Sequence, residues 1–131
     1  MKLTLYRGVR DYHQIKTAGT GLWFSTSKNV ARSYSNNIIT KTVDSDNVKI
    51  IDCKGLPWRK INTDELARKY KDFDAIVFKN VVDAGPKYVN FLNELKPLEN
   101  EKQGDYLKRN YTADTVVVNN EELLQENYFP Y

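Results

Sequence analysis

The apolar residues of this chain arrive in runs of strand length. Leu22-Trp23-Phe24, Val48 to Cys53, Ala75 to Phe78 and Thr115 to Val118 are each bounded by Gly, Pro, Asn or Asp. Short apolar runs between turn residues read as strands buried in a sheet. None approaches the roughly 20 residues of a membrane-spanning helix. Leu3, Leu5 and Val9 are separated by Thr4, Tyr6 and Gly8, which predicts a first strand over about 2–7 that ends at Arg7-Gly8. Ile38 to Val43 alternates more weakly and completes a set of about six strands.

Helical signals are fewer. Ser27 stands where an N-cap belongs, and Val30, Ala31 and Tyr34 follow at helical spacing. Asn62 or Thr63 opens a second helix to about Tyr70, with Glu65 placed for a capping box. Residues 10–20 read as a polar loop and 54–57 as a turn. Over 87–112, Tyr88, Phe91, Leu92 and Leu95 make one helical face that stops at Pro97, and the rest is charged and Asn-rich. That stretch reads as a long insertion or mobile excursion between strands. A helical turn is expected at Asn120 to Leu124. With 131 residues, the reading is a single α+β domain of about six short strands with two or three helices.

Composition narrows the function. Twenty basic and 17 acidic side chains leave a net charge of +3. The two signs are interleaved, which argues against direct nucleic-acid binding, although a weak pull on anionic ligands such as dinucleotides remains. One cysteine and one histidine, Cys53 and His13, are too few soft ligands for a zinc site, so no metal is expected. Cys53 lies in an apolar run and reads as core. A lone cysteine suits a reducing compartment. Met1 to Tyr6 runs straight into a strand pattern without a secretion signal, so a cytoplasmic protein with no membrane segment is expected.

Three polar features lie at strand ends: Arg7 followed by Gly8, then Ser25-Thr26-Ser27, then Asp83 ahead of Gly85-Pro86. If these strands meet at a cleft, a guanidinium, a hydroxyl cluster and a carboxylate converge. The guanidinium offers a planar fork to phosphate or ribose oxygens. The carboxylate can accept a ribose hydroxyl and offset positive charge on a sugar carbon. Asp52, in an apolar strand, is a reserve carboxylate. Trp58 after Pro57 reads as a core plug, and one of Trp23 and Phe24 as core.

The segment Leu5-Tyr6-Arg7-Gly8, with Phe24-Ser25-Thr26-Ser27 leading into Val30-Ala31-Arg32-Ser33-Tyr34, resembles the Arg and Ser-Thr-Ser elements of the Arg-Ser-Glu class of ADP-ribosyltransferases. The similarity is nearest to the short phage polyvalent-protein and phage anti-CRISPR ADP-ribosyltransferases. Phe73-Asp74-Ala75-Ile76-Val77-Phe78-Lys79-Asn80 is similar to their Tyr-Asp-Gly-Ile-Ile-x-Lys-Asn segment, and Val116-Val117-Val118-Asn119-Asn120 to their final strand and turn. The likeness spans roughly residues 3–83 and 113–125.

The resemblance implies two small sheets around an NAD cleft. It implies that Arg7 holds a phosphate or the nicotinamide ribose, that the Gly8 backbone meets the nicotinamide amide, and that Ser25 orients Arg7 and the acid. Thr26 and Ser27 would support the site, Tyr34 would stack near the nicotinamide, and Asp83 would stand where Glu-x-Glu places its catalytic glutamate. Asn80 is a second polar candidate on that segment. Here the motif is Val81-Val82-Asp83, so the first acid is absent and arginine modification is not expected. The second acid is one methylene shorter and sits about 1.5 Å further back. The implied function is mono-ADP-ribosylation of a host or defence protein from NAD, by a phage-encoded, anti-CRISPR-like enzyme. The alternative is a catalytically silent domain of the same fold that inhibits by binding a protein.

Overall fold

A computed structural model describes residues 1–9 and 21–127. The polar loop expected over 10–20, His13 included, lies outside them. Six strands form one mixed sheet in the order β3-β1-β2-β6-β5-β4. They are β1 (Lys2–Val9), β2 (Leu22–Ser25), β3 (Asn37–Asp44), β4 (Val48–Asp52), β5 (Ala75–Val82) and β6 (Thr112–Val118). The helices are α1 (Lys28–Tyr34), α2 (Thr63–Lys69) and α3 (Gln103–Tyr111), with 3-10 turns at Trp58–Lys60, Pro86–Phe91 and Glu121–Asn127. The α+β class with six strands stands. Among the described residues no helix is long and apolar enough to cross a membrane.

The expected two sheets are one sheet with a thin seam. β1 pairs β3 along its whole length, from Lys2↔Asp44 to Val9↔Asn37, and β2 pairs β6 from Leu22↔Val118 to Ser25↔Thr115. Between β1 and β2, the pair Tyr6↔Ser25 is the one found among the described residues, and it keeps the sheet continuous. The full-length β3 ladder also explains why β1 runs past the expected end at Arg7-Gly8. Gly8 and Val9 still have partners in Ile38 and Asn37.

Helix α2 is the crossover that a parallel β4–β5 pair requires. It lays Ala67 over Ile76, Phe78 and Val117 on one face of the sheet, with Cys53 buried beside them as expected. The other face packs Leu5, Phe24, Val77 and Val116 under Leu124. β5 and β6 are covered on both faces, which is why their sequences read as continuous apolar runs rather than alternations.

The 87–112 stretch has its own packing. Tyr88, Leu92 and Leu95 close on Tyr106 and Tyr111 of α3 and on Val30 of α1. Arg109 of α3 donates through Nε and Nη2 to the two carboxylate oxygens of Glu101, both at 2.8 Å. Helix α3 has no counterpart among the sequence expectations. Its buried surface comes from two tyrosines set among polar residues, and an apolar periodicity search does not register them.

Candidate active site in a cleft floored by the central strands

The register of the sheet lays one row of side chains across four strands. Tyr6 faces Ser25, Ser25 faces Thr115, and Thr115 faces Phe78. Directly opposed residues share a face, and all four line a cleft of about 380 Å³. Its two walls come from opposite ends of the sheet. Helix α1 packs on β1 and contributes Val30, Ala31 and Tyr34. The segment leading through α2 packs over β4 and β5 and contributes Trp58, Thr63 and Asp64. Trp23 lies on the floor, its ring parallel to Phe78 with centroids 6.1 Å apart.

A bulge in β5 delivers the acid. Phe78 pairs Thr115, but Val81 pairs Ala113, so β5 carries one extra residue. Asn80 adopts a left-handed conformation there, with φ 57°, and its backbone N–H donates to Asp114 Oδ1 at 3.0 Å. Asparagine tolerates that region better than most residues. The extra residue flips the pleat. Ile76, Phe78, Val81 and Asp83 share the cleft face; an unbulged strand would instead place Asn80 and Val82 there. Thus Asn80 acts at a distance from the cleft, by turning Asp83 into it.

Asp83 is 9% exposed. Thr115 Oγ1 donates to its Oδ2 at 3.0 Å, and the Tyr34 hydroxyl donates to its Oδ1. Burial pushes the Asp83 carboxyl up from its ordinary value, and the two hydroxyl donors pull the other way. Burial, and then the negative charge of Asp83, push the Tyr34 phenol far above the usual tyrosine range. Tyr34 as a residue is 41% exposed, yet its hydroxyl ends on a buried carboxylate. Its ring lies against the chain at Gly85, where a β-carbon would come within 2.7 Å of Tyr34 Cγ and Cδ1.

The structure brings Arg7, Gly8, Ser25, Tyr34 and Asp83 to one cleft. Arg7 lies where β1 and β2 part, and its Nη1 donates to the Trp23 carbonyl at 3.4 Å. Gly8 has a packing reason: a β-carbon there would lie 2.2 Å from the Ala31 carbonyl oxygen and 2.9 Å from the Ser35 nitrogen. Ser25 is buried, and its Oγ accepts from the Ser27 backbone N–H at 3.1 Å.

Thr26, Ser27 and Asn80 do not line the cleft. Thr26 exchanges backbone and hydroxyl hydrogen bonds with Asp114. Ser27 caps α1 through Val30 N–H at 3.2 Å. Asp52, the reserve acid, is exposed and accepts from the Lys54 backbone at 2.9 Å, away from the cleft. Trp58 corrects the expectation of a core plug, for it is 46% exposed on the cleft wall. Thr115 went unnoticed in the sequence because it opens an apolar run. Its register opposite Ser25 could have been found by pairing the two strands.

Among the described residues no cluster of His, Cys, Asp or Glu is placed to hold a metal ion. Comparison with protein-family models, curated proteins and solved structures finds no match to this chain.

Proposed function

We propose that this chain is an ADP-ribosyltransferase-like domain that binds NAD in the cleft and transfers its ADP-ribose to a protein of a host cell or its defences. The reading rests on one observation: Arg7, Ser25, Tyr34 and Asp83 come from β1, β2, α1 and the end of β5 to a single cleft with aromatic walls. The cleft volume of about 380 Å³ is toward the lower end of the roughly 300–1,000 Å³ of ligand sites. It suits the nicotinamide-ribose end of a dinucleotide, with the remainder running out past Arg7.

NAD supplies a glycosidic bond to a good leaving group, and its cleavage builds positive charge on the ribose carbon. Arg7 brings a permanently charged, planar guanidinium to the phosphates or ribose. Asp83 presents a buried carboxylate to the developing charge, where low polarity strengthens the attraction. Trp23, Phe78 and Val81 keep water off the floor. Val81 stands where a first acid would prepare an arginine acceptor, so the acceptor is a different side chain.

A binding-only reading draws on two facts, the apolar Val81 and the engagement of both Asp83 oxygens by Tyr34 and Thr115. One experiment separates the two. The protein is incubated with labelled NAD and a host-cell lysate beside Arg7→Ala and Asp83→Ala. A transferase labels a protein, and each variant loses at least about 100-fold of that activity. Absence of NAD turnover, together with a partner that still co-purifies with both variants, would overturn the enzyme in favour of the inhibitor.

A further inference from the structure

The resemblance gives Ser25 the task of holding the acid, but the sheet puts Ser25 out of reach. It lies on β2, two strands from β5, whereas Thr115 lies on β6, next to β5. Neighbouring strands are about 4.8 Å apart, and an aspartate reaches one methylene less far than a glutamate. Ser25 Oγ is instead engaged by the Ser27 backbone N–H at 3.1 Å. Thr115, directly opposite Ser25 in the β2–β6 ladder, places its hydroxyl on Asp83 Oδ2 at 3.0 Å. The second oxygen receives the Tyr34 hydroxyl. Tyr34 in turn is set by its own helix, because Ser33 Oγ accepts from the Gly85 backbone N–H at 2.8 Å and Gly85 leaves room for the Tyr34 ring.

We infer that Thr115 and Tyr34 are the positioning residues of Asp83: one hydroxyl on each carboxylate oxygen fixes the short acid in a single orientation, a duty that the motif assigns to Ser25. Tyr34 therefore acts through its hydroxyl, and its ring is not free to swing as a stacking platform. The inference rests on the transferase reading for the reaction that Asp83 serves, and on geometry alone for the holding of the carboxylate.

Among the described residues the groups around Asp83 are few. Tyr34 is the titratable neighbour from α1, and it remains a donor across the accessible pH range. Thr115 from β6 is neutral, α3 offers the Tyr111 carbonyl to the Asp83 backbone N–H at 3.0 Å, and Arg32 of α1 is paired to Glu94 at 2.6 Å. Arg7 lies in the same cleft with a guanidinium nitrogen on the Trp23 carbonyl. Loss of either hydroxyl removes a donor that favours the ionised form, so the Asp83 midpoint must rise.

The test uses the whole chain as wild type, Tyr34→Phe, Thr115→Val and Thr115→Ser. The Asp83 carboxyl is followed through a pH titration by carbon NMR and assigned with Asp83→Asn, and NAD turnover is measured alongside. The expected result is a higher Asp83 midpoint in Tyr34→Phe and Thr115→Val, and a return toward wild type in Thr115→Ser. In turnover, kcat falls about 10–100-fold with KM nearly unchanged, and the acid limb of the pH profile moves up. Tyr34→Phe deletes one hydroxyl from a half-exposed residue, so it keeps the test alive if Thr115→Val unfolds. An unmoved midpoint in folded Tyr34→Phe, or a Thr115→Ser variant that titrates like Thr115→Val, overturns the inference. If wild type turns over no NAD, the transferase reading fails by itself and the titration alone decides the positioning.

Discussion

A carboxylate that is 9% exposed is expensive to keep ionised. Two hydroxyl donors offset part of that cost, yet the balance still raises the Asp83 pKa. The sign of the stability effect follows by linkage. A raised folded-state pKa means that the native protein binds the proton more tightly than the unfolded chain does. The contribution is fully present below the ordinary aspartate value of about 3.9 and is lost as pH climbs through the folded-state value. Asp83→Asn has no charge to bury and is expected to melt above wild type at neutral pH while losing NAD turnover. Melting curves from pH 3 to pH 8 check this: the gap should open as pH rises from the carboxylate range. A gap that is the same at every pH, or a less stable Asn variant at neutral pH, would contradict it. Such a trade of stability for activity is what a functional acid shows and a structural one does not.

At the scale of elements, the sequence was legible where periodicity or a cap carried the signal. Ser27 and the Val30, Ala31, Tyr34 spacing marked α1, short apolar runs marked four strands, and alternation marked β1 and β3. The bulge in β5 was not legible, because the apolar run to Phe78 has no alternation against which one extra residue at Lys79-Asn80 would register. Asn80 reads in the sequence as a second polar candidate for the site, whereas in the fold it shapes the backbone at the bulge. The two outer segments of the resemblance also turn out to meet. Asp74 accepts from Ser45 Oγ at 2.7 Å and Asn120 Nδ2 at 3.1 Å, and its carbonyl takes the backbone N–H of Asn119 and Asn120. These residues staple β5 to the end of β6, far along the strands from Asp83. Gly8 is likewise a packing residue first. Its contact with the last turn of α1 involves backbone atoms that cannot rotate away. Gly8→Ala is expected to cost about 3 kcal/mol by overpacking, a fall in Tm of about 10 °C for a domain of this size, read by calorimetry. A loss below about 1 kcal/mol would mean that α1 can lift off β1 freely.

For the whole molecule, the seam and the cleft are one feature. Among the described residues β1 and β2 meet at the Tyr6↔Ser25 pair, and the cleft opens on that row. Helix α1 contacts β1, β2 and β3 and so bridges the β1–β2 boundary. A ligand that touches both walls would tie the halves together, and the chain carries its own reporters for that event. Both of its tryptophans line the cleft. They differ in cost to the fold: Trp23 is stacked on Phe78 in the floor, whereas Trp58 is 46% exposed on the wall. NAD is therefore expected to change the intrinsic fluorescence and, at about 100 times its Kd, to stabilise the fold by about 2.7 kcal/mol, a Tm rise of roughly 8–10 °C. Trp58→Leu should leave the Tm of the free protein within about 1–2 °C of wild type. It should weaken NAD binding about tenfold, the equivalent of about 1.4 kcal/mol of lost ring contact. Trp23→Leu should lower the Tm of the free protein as well, because it empties the floor. Fluorescence and Tm that both ignore millimolar NAD would mean that the cleft is not a dinucleotide site, whatever the seam does.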